Sequence, residues 1–457
     1  MRYTATILLA SSFLVSHALG QLGSIERIQE IQRGLDRGLE NIHALEDEYG
    51  RLDRRMLESL DQFSVTLITN ERFTEAHDIL DQAIQIVRVS EGLYSPTQFP
   101  LLVRRIENYV NRGDWDSAKE TMEHLDWLLK RGENTINESL IVALLDLIDI
   151  HLWGVADDLL ANQSYHFRRA ERLTDLASRV ALFNYEAGDG RVPGIMYKKV
   201  VQLYLQSVAV EAGGATGIAL RNYSNTGYAI SRRDARNGLY YGGLRTLVGI
   251  RDFYLKPTTL DLEGAGLAYF YIGDWEILFG NRGAAEQAYK EGYNLLLEVG
   301  YSDEFINQYT VRPQILPLAE FHGSLEDALN ATLNSSLMFG VEDNKVNFTF
   351  KQWSKKFSRT ITPVNYGAKE TGLEDIDYAK FSFNLFGLDQ IGRWYRSRYK
   401  NNVSSPQNLE LISRKIGSDI DWFELTESIK DFHFRPKFIN GNPQPVTATL
   451  HYQLANQ

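Results

Sequence analysis

Two short stretches decide the fold class: Glu71-Arg72-Phe73-Thr74-Glu75-Ala76 and Gly113-Asp114-Trp115-Asp116-Ser117-Ala118. Each runs from a polar turn through an aromatic residue to an alanine three positions on, and the two alanines lie 42 residues apart. Leu60, Phe63 and Leu67 precede the first stretch, and Leu102, Ile106 and Tyr109 precede the second. Four and seven residues after the alanines come Leu80 and Ala83, then Met122 and Leu125. Spacings of three, four and seven gather side chains on one face of a helix. The reading is a helix, a tight turn and a second helix, repeated.

A third copy reads Tyr269, Ile272-Gly273, Gly280, Ala285, Tyr289 and Gly292. These offsets resemble the tetratricopeptide repeat, in which small residues sit where two antiparallel helices touch and large ones fill the gap to the next pair. The resemblance makes Ala76, Leu80, Ala83, Tyr109, Gly113, Ala118, Gly273, Gly280, Ala285 and Tyr289 the structural signature. The repeat's proline is missing from all three copies, and 42 residues exceed the usual period of about 34. Longer helices or loops are the expected consequence. The array is expected to span residues 51–310, carried on by helical spacing at 140–160, 167–183, 196–211 and 239–254. Residues 21–50, with Ile28, Leu35, Ile42 and Tyr49 seven apart, read as an amphipathic capping helix.

The start of the chain reads differently. Arg2 is the only charged side chain before Glu26, a short apolar run covers residues 7–15, and Ala18-Leu19-Gly20 precedes Gln21. A basic start, a short apolar core and a small-x-small site make residues 1–20 an expected signal peptide. The alternative is an uncleaved leader that anchors the chain in the inner membrane. No later apolar stretch reaches the roughly 20 residues needed for a span.

Composition narrows the class. At 457 residues the prior is about three domains. Hydrophobic residues at 44 % and charged residues at 23 % exclude general disorder and a multi-pass membrane protein. The absence of cysteine removes disulfide scaffolds, thiol nucleophiles and thiolate metal sites. A net charge of −11 argues against nucleic-acid binding.

After a linker expected at 311–375, the pattern turns to strands. Ala379, Phe381, Phe383 and Leu385 alternate on one face, and residues 391–399 read as a returning strand. A short helix with Trp422, Leu425 and Ile429 on one side follows, then a hairpin at Asn440-Gly441. Val446, Ala448, Leu450 and Tyr452 alternate in a closing strand. The run Phe434-Arg435-Pro436, then Gly441-Asn442-Pro443-Gln444-Pro445-Val446, resembles the signature of the C-terminal domain of TonB and other energy transducers. The resemblance covers about residues 376–454 and makes 376–457 a small α+β domain. It implies a Gram-negative periplasm and partner capture by strand addition, with Val446, Thr447, Ala448, Thr449, Leu450, His451 and Tyr452 as the strand edge. This module carries a net +2, leaving −14 on residues 21–375. A transducer also needs an uncleaved membrane helix with a histidine inside it and a long proline-rich spacer. Here His17 lies at the end of the leader, and the helical array stands where the spacer would be.

Chemistry is sparse. The nine histidines form no His-Glu-x-x-His pattern, and His433 and His451 are the one pair that facing strands could bring together. Gly188-Asp189-Gly190-Arg191-Val192-Pro193-Gly194 lacks a preceding strand and a following Gly-Lys-Ser/Thr, so it reads as a loop and not a phosphate cradle. Trp115, Trp127, Trp153 and Trp275 read as core more than as a groove lining. Seven Asn-x-Ser/Thr sequons, at Asn137, Asn162, Asn222, Asn330, Asn334, Asn347 and Asn402, read as incidental. The expected fold is mainly α, a helical solenoid followed by the small α+β domain. The expected protein is a periplasmic, non-enzymatic scaffold with no cofactor or metal, no nucleic-acid partner and no membrane span in the mature chain. Its partners would be proteins of the cell envelope, an outer-membrane protein among them. The alternatives are an energy transducer and an envelope polymer-processing enzyme with its site in 188–259. There Arg232-Arg233-Asp234-Ala235-Arg236 and Tyr240-Tyr241 would meet an anionic polymer.

Overall fold

The computed structural model describes residues 29–131, 138–211, 231–335, 345–354, 377–385, 404–415 and 422–454. Residues 1–28, 212–230, 355–376 and 386–403 lie outside the described residues, and with them the leader, the strand expected at 391–399 and the sequons Asn222 and Asn402. Asn137 also lies outside them. The described chain is mainly helical with a small sheet near its C-terminus, and it divides into two compact units, Met1–Thr135 and Ile136–Gln457.

The first unit holds α1 (residues 29–49), a 3-10 turn at Arg54–Met56, α2 (Leu57–Thr69), α3 (Phe73–Glu91), α4 (Gln98–Asn111) and α5 (Trp115–Arg131). Three residues join α2 to α3 and three join α4 to α5, so each pair must double back on itself. In the second pair Asp114 accepts a hydrogen bond from the Ser117 amide at 3.1 Å, satisfying one of the free N–H groups that open α5. Ala76, Leu80, Ala83 and Ala118 are completely buried, as expected of residues at helix crossings, while Tyr109 is half-buried. Along α1 only Leu35 and Ile42 are buried, whereas Ile31 and Leu39 are exposed, so it presents a narrow capping stripe.

The second unit begins with α6 (Glu138–Asp157), α7 (Gln163–Asn184), α8 (Arg191–Glu211), α9 (Arg232–Tyr254), α10 (Leu262–Leu278), α11 (Arg282–Val299) and α12 (Asp303–Thr310). From α6 to α11 each helix packs chiefly on its chain neighbours. Helix α10 is buried on every side, Trp275 and Tyr271 to 1 % exposure. At Gly273 a Cβ would lie 2.6 Å from the Tyr289 ring, so the close helix approach expected there is real.

Then come β1 (Gln314–Leu316), α13 (Leu325–Ser335), β2 (Lys345–Lys351), β3 (Tyr378–Leu385), β4 (Gln407–Lys415), α14 (Trp422–Lys430), β5 (His433–Arg435), β6 (Lys437–Ile439), β7 (Asn442–Gln444) and β8 (Val446–Gln453). The main sheet has the order β2-β8-β3-β4, with β2 parallel to β8 and β3 antiparallel to both neighbours. Ala379, Phe381, Phe383 and Leu385 meet Val446, Ala448, Leu450 and Tyr452 in one buried cluster, to which α14 adds Leu425 and Ile429. Asn440 and Gly441, at φ 50° and 71°, turn β6 into β7, the left-handed pair that an Asn-Gly hairpin requires.

Two expectations change. The segment 311–375, expected to be an irregular linker, supplies β1, α13 and β2: β1 pairs with β5 and β2 pairs with β8. Accordingly the contact boundary falls at 135/136, and the strands belong to the same unit as α6–α12. The second correction concerns residues Val446–Tyr452. They form an inner strand whose backbone is already bonded to β2 on one side and β3 on the other. A strand with both sides occupied has no free donors or acceptors to add another. The expected strand edge is therefore not an edge.

Replacing Gly273 by Ala is expected to destabilise the second unit by about 1–3 kcal/mol, because the Tyr289 ring is buried and cannot give way. Gly238→Ala, on α9 with open space around it, is expected to stabilise by about 0.5–1 kcal/mol. Urea unfolding of the two variants checks the opposite signs.

Candidate functional site

The most heavily built site lies where α10 meets β5. Arg435 Nε donates to Asp274 Oδ1 at 2.8 Å and its second terminal nitrogen donates to Oδ2 at 2.5 Å, a two-pronged bond. The remaining guanidinium nitrogen donates to the Tyr309 hydroxyl, and the Tyr289 hydroxyl donates to Asp274 Oδ1 at 2.8 Å. Side-chain exposure is 1 % for Arg435 and 5 % for Asp274. The rings of Phe270, Tyr271 and Tyr309 surround the guanidinium with centroids 5.1–5.7 Å away. Burial works against the Arg435 charge, but Asp274 and Tyr309 outweigh it and hold its pKa well above the ordinary range. Burial also pushes the Tyr289 and Tyr271 hydroxyls well up, so both stay protonated. Around this core Phe438 packs on Tyr289 at 4.8 Å, and Asn307 binds Asn440 through both backbone and side chain.

Tyr309 also forms part of the wall of a cavity of about 330 Å³, bounded by the end of α12, β1, α13 and β2. Its wall is largely apolar, with Ile315, Leu318, Val346 and Phe348, and it includes Arg312 and His322.

In the first unit the outstanding feature is an exposed aromatic patch. Tyr94 is 49 % and Trp127 39 % exposed, with ring centroids 5.6 Å apart, and Val89 and Leu93 just before Tyr94 are exposed as well. Trp127 stacks on His124, whose pKa is lowered by burial and by Arg88 and Arg105.

The remaining sequence candidates separate clearly. Gly280 opens the α10–α11 turn at φ 79°, Ala285 is fully buried and Tyr289 nearly so. Gly113 turns the chain at φ 74°. Trp115 and Trp275 are core, Trp153 is half-buried against Trp353, and only Trp127 reaches well into solvent. Gly188 and Asp189 form a turn, but Arg191-Val192-Pro193-Gly194 is already the first turn of α8, with Arg191 paired to Asp189 and Glu138. The 232–236 cluster opens α9, capped by Ser231, and Arg236 binds Glu211 at 2.7 Å and covers Phe279. Tyr240 donates to both oxygens of Glu276, and burial followed by that carboxylate pushes its pKa to about 12. His433 is bonded to the Asp431 carbonyl, while His451 packs edge-on against Tyr378.

The histidines that do meet are His151 on α6 and His166 on α7, with Nδ1 atoms 2.9 Å apart. His166 Nε2 lies 2.9 Å from Asp158 Oδ2. A carboxylate only accepts, so His166 Nε2 carries a proton and donates it to Asp158. Gly154 makes the room, since a Cβ there would lie 2.6 Å from the His166 ring. The sequence separation of 15 matches no ligand or catalytic pattern, and only the doubling back of α7 on α6 reveals the relay.

Neither protein-family models nor curated proteins give a match to this chain. Among the described residues no helix is long and apolar enough to cross a membrane, and no group of three or more acidic or histidine side chains is placed to hold a metal ion.

Two outcomes follow from these geometries. Arg435→Met or Asp274→Leu alone is expected to cost about 3–5 kcal/mol, because each leaves a buried charge without its partner. The double variant should recover much of that loss, which a double-mutant cycle by urea unfolding measures. The second outcome concerns acid. His151 has its pKa held well below 6.5, by burial first and then by His166 and Arg169. Below pH 6.5 the unfolded chain takes up a proton that folded His151 refuses, so stability falls as pH falls. The contribution reaches about 1.4 kcal/mol one pH unit below the unfolded value. His151→Gln should flatten the decline between pH 7.5 and 5.5 by roughly that amount.

Proposed function

We propose that the chain is a non-enzymatic scaffold of the cell envelope, working in the periplasm, whose helical array binds a protein partner. The observation that carries this reading is the exposed patch of Val89, Leu93, Tyr94 and Trp127 on the first unit. Large aromatic side chains with this much surface in water gain by being covered. Tyr and Trp are the residues that most often dominate binding energy at protein interfaces. His124 beneath Trp127 and the ring contact with Tyr94 hold the indole in place, which lowers the entropic cost of using it as an anchor.

The repeated turns and buried alanines support a tetratricopeptide-like array, and the Asn-Gly hairpin with its flanking strands supports a TonB-like ending. Strand addition, in this reading, uses β4, the outer strand next to β3, where Leu411 and Ile412 are exposed. The union of the terminal strands with α10–α12 favours a binding role over a motor-coupled one, because a transducer's last domain must move free of what precedes it. The basic cluster at 232–236 gives little support to a polymer-processing enzyme, since Arg236 is engaged within the fold.

A variant carrying Tyr94→Ala and Trp127→Ala is expected to lose its protein partners in crosslinking pull-downs from envelope extracts while unfolding at the same urea concentration as the parent. Loss of hot-spot anchors of this kind costs about 2 kcal/mol or more, on the order of thirtyfold in affinity. Recovery of an unchanged set of partners by the variant would contradict the proposal.

A further inference from the structure

The cavity beside Tyr309 has the make-up of a binding site for a small molecule. At about 330 Å³ it falls within the size range of small-molecule sites, roughly 300–1,000 Å³. Its apolar wall comes from four elements: Tyr309 at the end of α12, Ile315 on β1, Ala331 on α13, and Val346 with Phe348 on β2. These walls are held by the buried Asp274–Arg435 pair on one side and by the β2–β8 pairing on the other. The pocket is thus formed before any ligand arrives.

Three of its polar groups are engaged within the fold. Gln314 donates to Thr332 Oγ1 at 2.7 Å, and that hydroxyl donates to the Ala328 carbonyl at 2.7 Å. The Tyr309 hydroxyl receives Arg435. Arg312, half-buried on the wall, is its one cation, and its guanidinium has no hydrogen-bond or ion-pair partner among the described residues. Glu320, also on the wall, is exposed to water, and its charge bears on His322. Burial keeps His322 neutral, leaving an imidazole that can donate or accept one hydrogen bond. A partly desolvated guanidinium in an apolar chamber gains most from a planar oxyanion that it can grip with two N–H groups.

We infer that this cavity binds a small amphipathic carboxylate, its apolar body against Ile315, Leu318, Val346 and Phe348 and its carboxylate on Arg312. No covalent step is involved. Sodium octanoate and octylamine serve as probes of matched length and opposite charge.

Calorimetric titration of the purified full chain is expected to show saturable binding of octanoate at one site and none of octylamine. Arg312→Gln should weaken octanoate at least tenfold without changing the thermal unfolding of the ligand-free protein. Ala331→Leu, which fills the chamber from α13 and leaves Arg312 in place, should weaken it as well. Absence of saturable octanoate binding to the parent would overturn the assignment. So would equal binding of octylamine, or an affinity unchanged by both substitutions.

Discussion

A single buried ion pair governs the second unit. Asp274 sits in the C-terminal third of a helix buried on every side, and Arg435 sits on a three-residue strand 161 positions later. Neither charge could be left there alone, since desolvating an unpaired ion costs several kcal/mol. Each therefore requires the other, and with them the elements that carry them: α10 and its neighbours on one side, β5 with β1 and the hairpin on the other. Tyr309 and Tyr289 complete the hydrogen bonding, so the pair also fixes α11 and α12. Replacement of both partners by apolar residues would satisfy the same volume. What the charged pair adds is a demand for one register between strand and helix.

That requirement explains why the terminal strands are not an appended module. A helical array with a tethered domain would have separate cores. Here β5, β6 and the Asn-Gly turn lie against α10, α11 and α12, while β1 and β2 come from the stretch between helices and sheet. The cavity under Tyr309 is a by-product of this joining: helix ends and a strand edge seldom tile without a gap, and this gap carries an arginine. Acidic helices and a mildly basic tail attract only weakly across solvent. The attraction becomes decisive where water is excluded, at Asp274 and Arg435.

Much of this was legible in the sequence, for reasons that are local. Ala76 and Ala118 stand out because a helix crossing tolerates only a small side chain, and the turn, aromatic residue and alanine fall within six residues of each other. Ala379, Phe381, Phe383 and Leu385 declare a strand because alternation has a period of two, and Asn440-Gly441 declares a hairpin because both positions need positive φ. What the sequence concealed is non-local. The alternation of Val446, Ala448, Leu450 and Tyr452 shows which face is buried, and it looks the same in an outer or an inner strand. The missing information was that Lys345–Lys351 would pair beside it. His151 and His166 meet only because α7 folds back on α6. One clue to the ion pair was present: within the run from Leu267 to Leu278, Asp274 and Glu276 are the only acidic residues, and each is buried with a partner from elsewhere in the fold.

With one buried pair joining them, the helices and terminal strands of the second unit form one cooperative body. Native-state hydrogen exchange of the full chain, followed at the amides of α10, β3 and β8 as urea is raised, tests it most directly. A single free energy of opening shared by all three elements is the expected result. Exchange of β3 and β8 through a separate opening of lower free energy, with α10 still protected, would contradict it and restore the picture of an independent terminal domain.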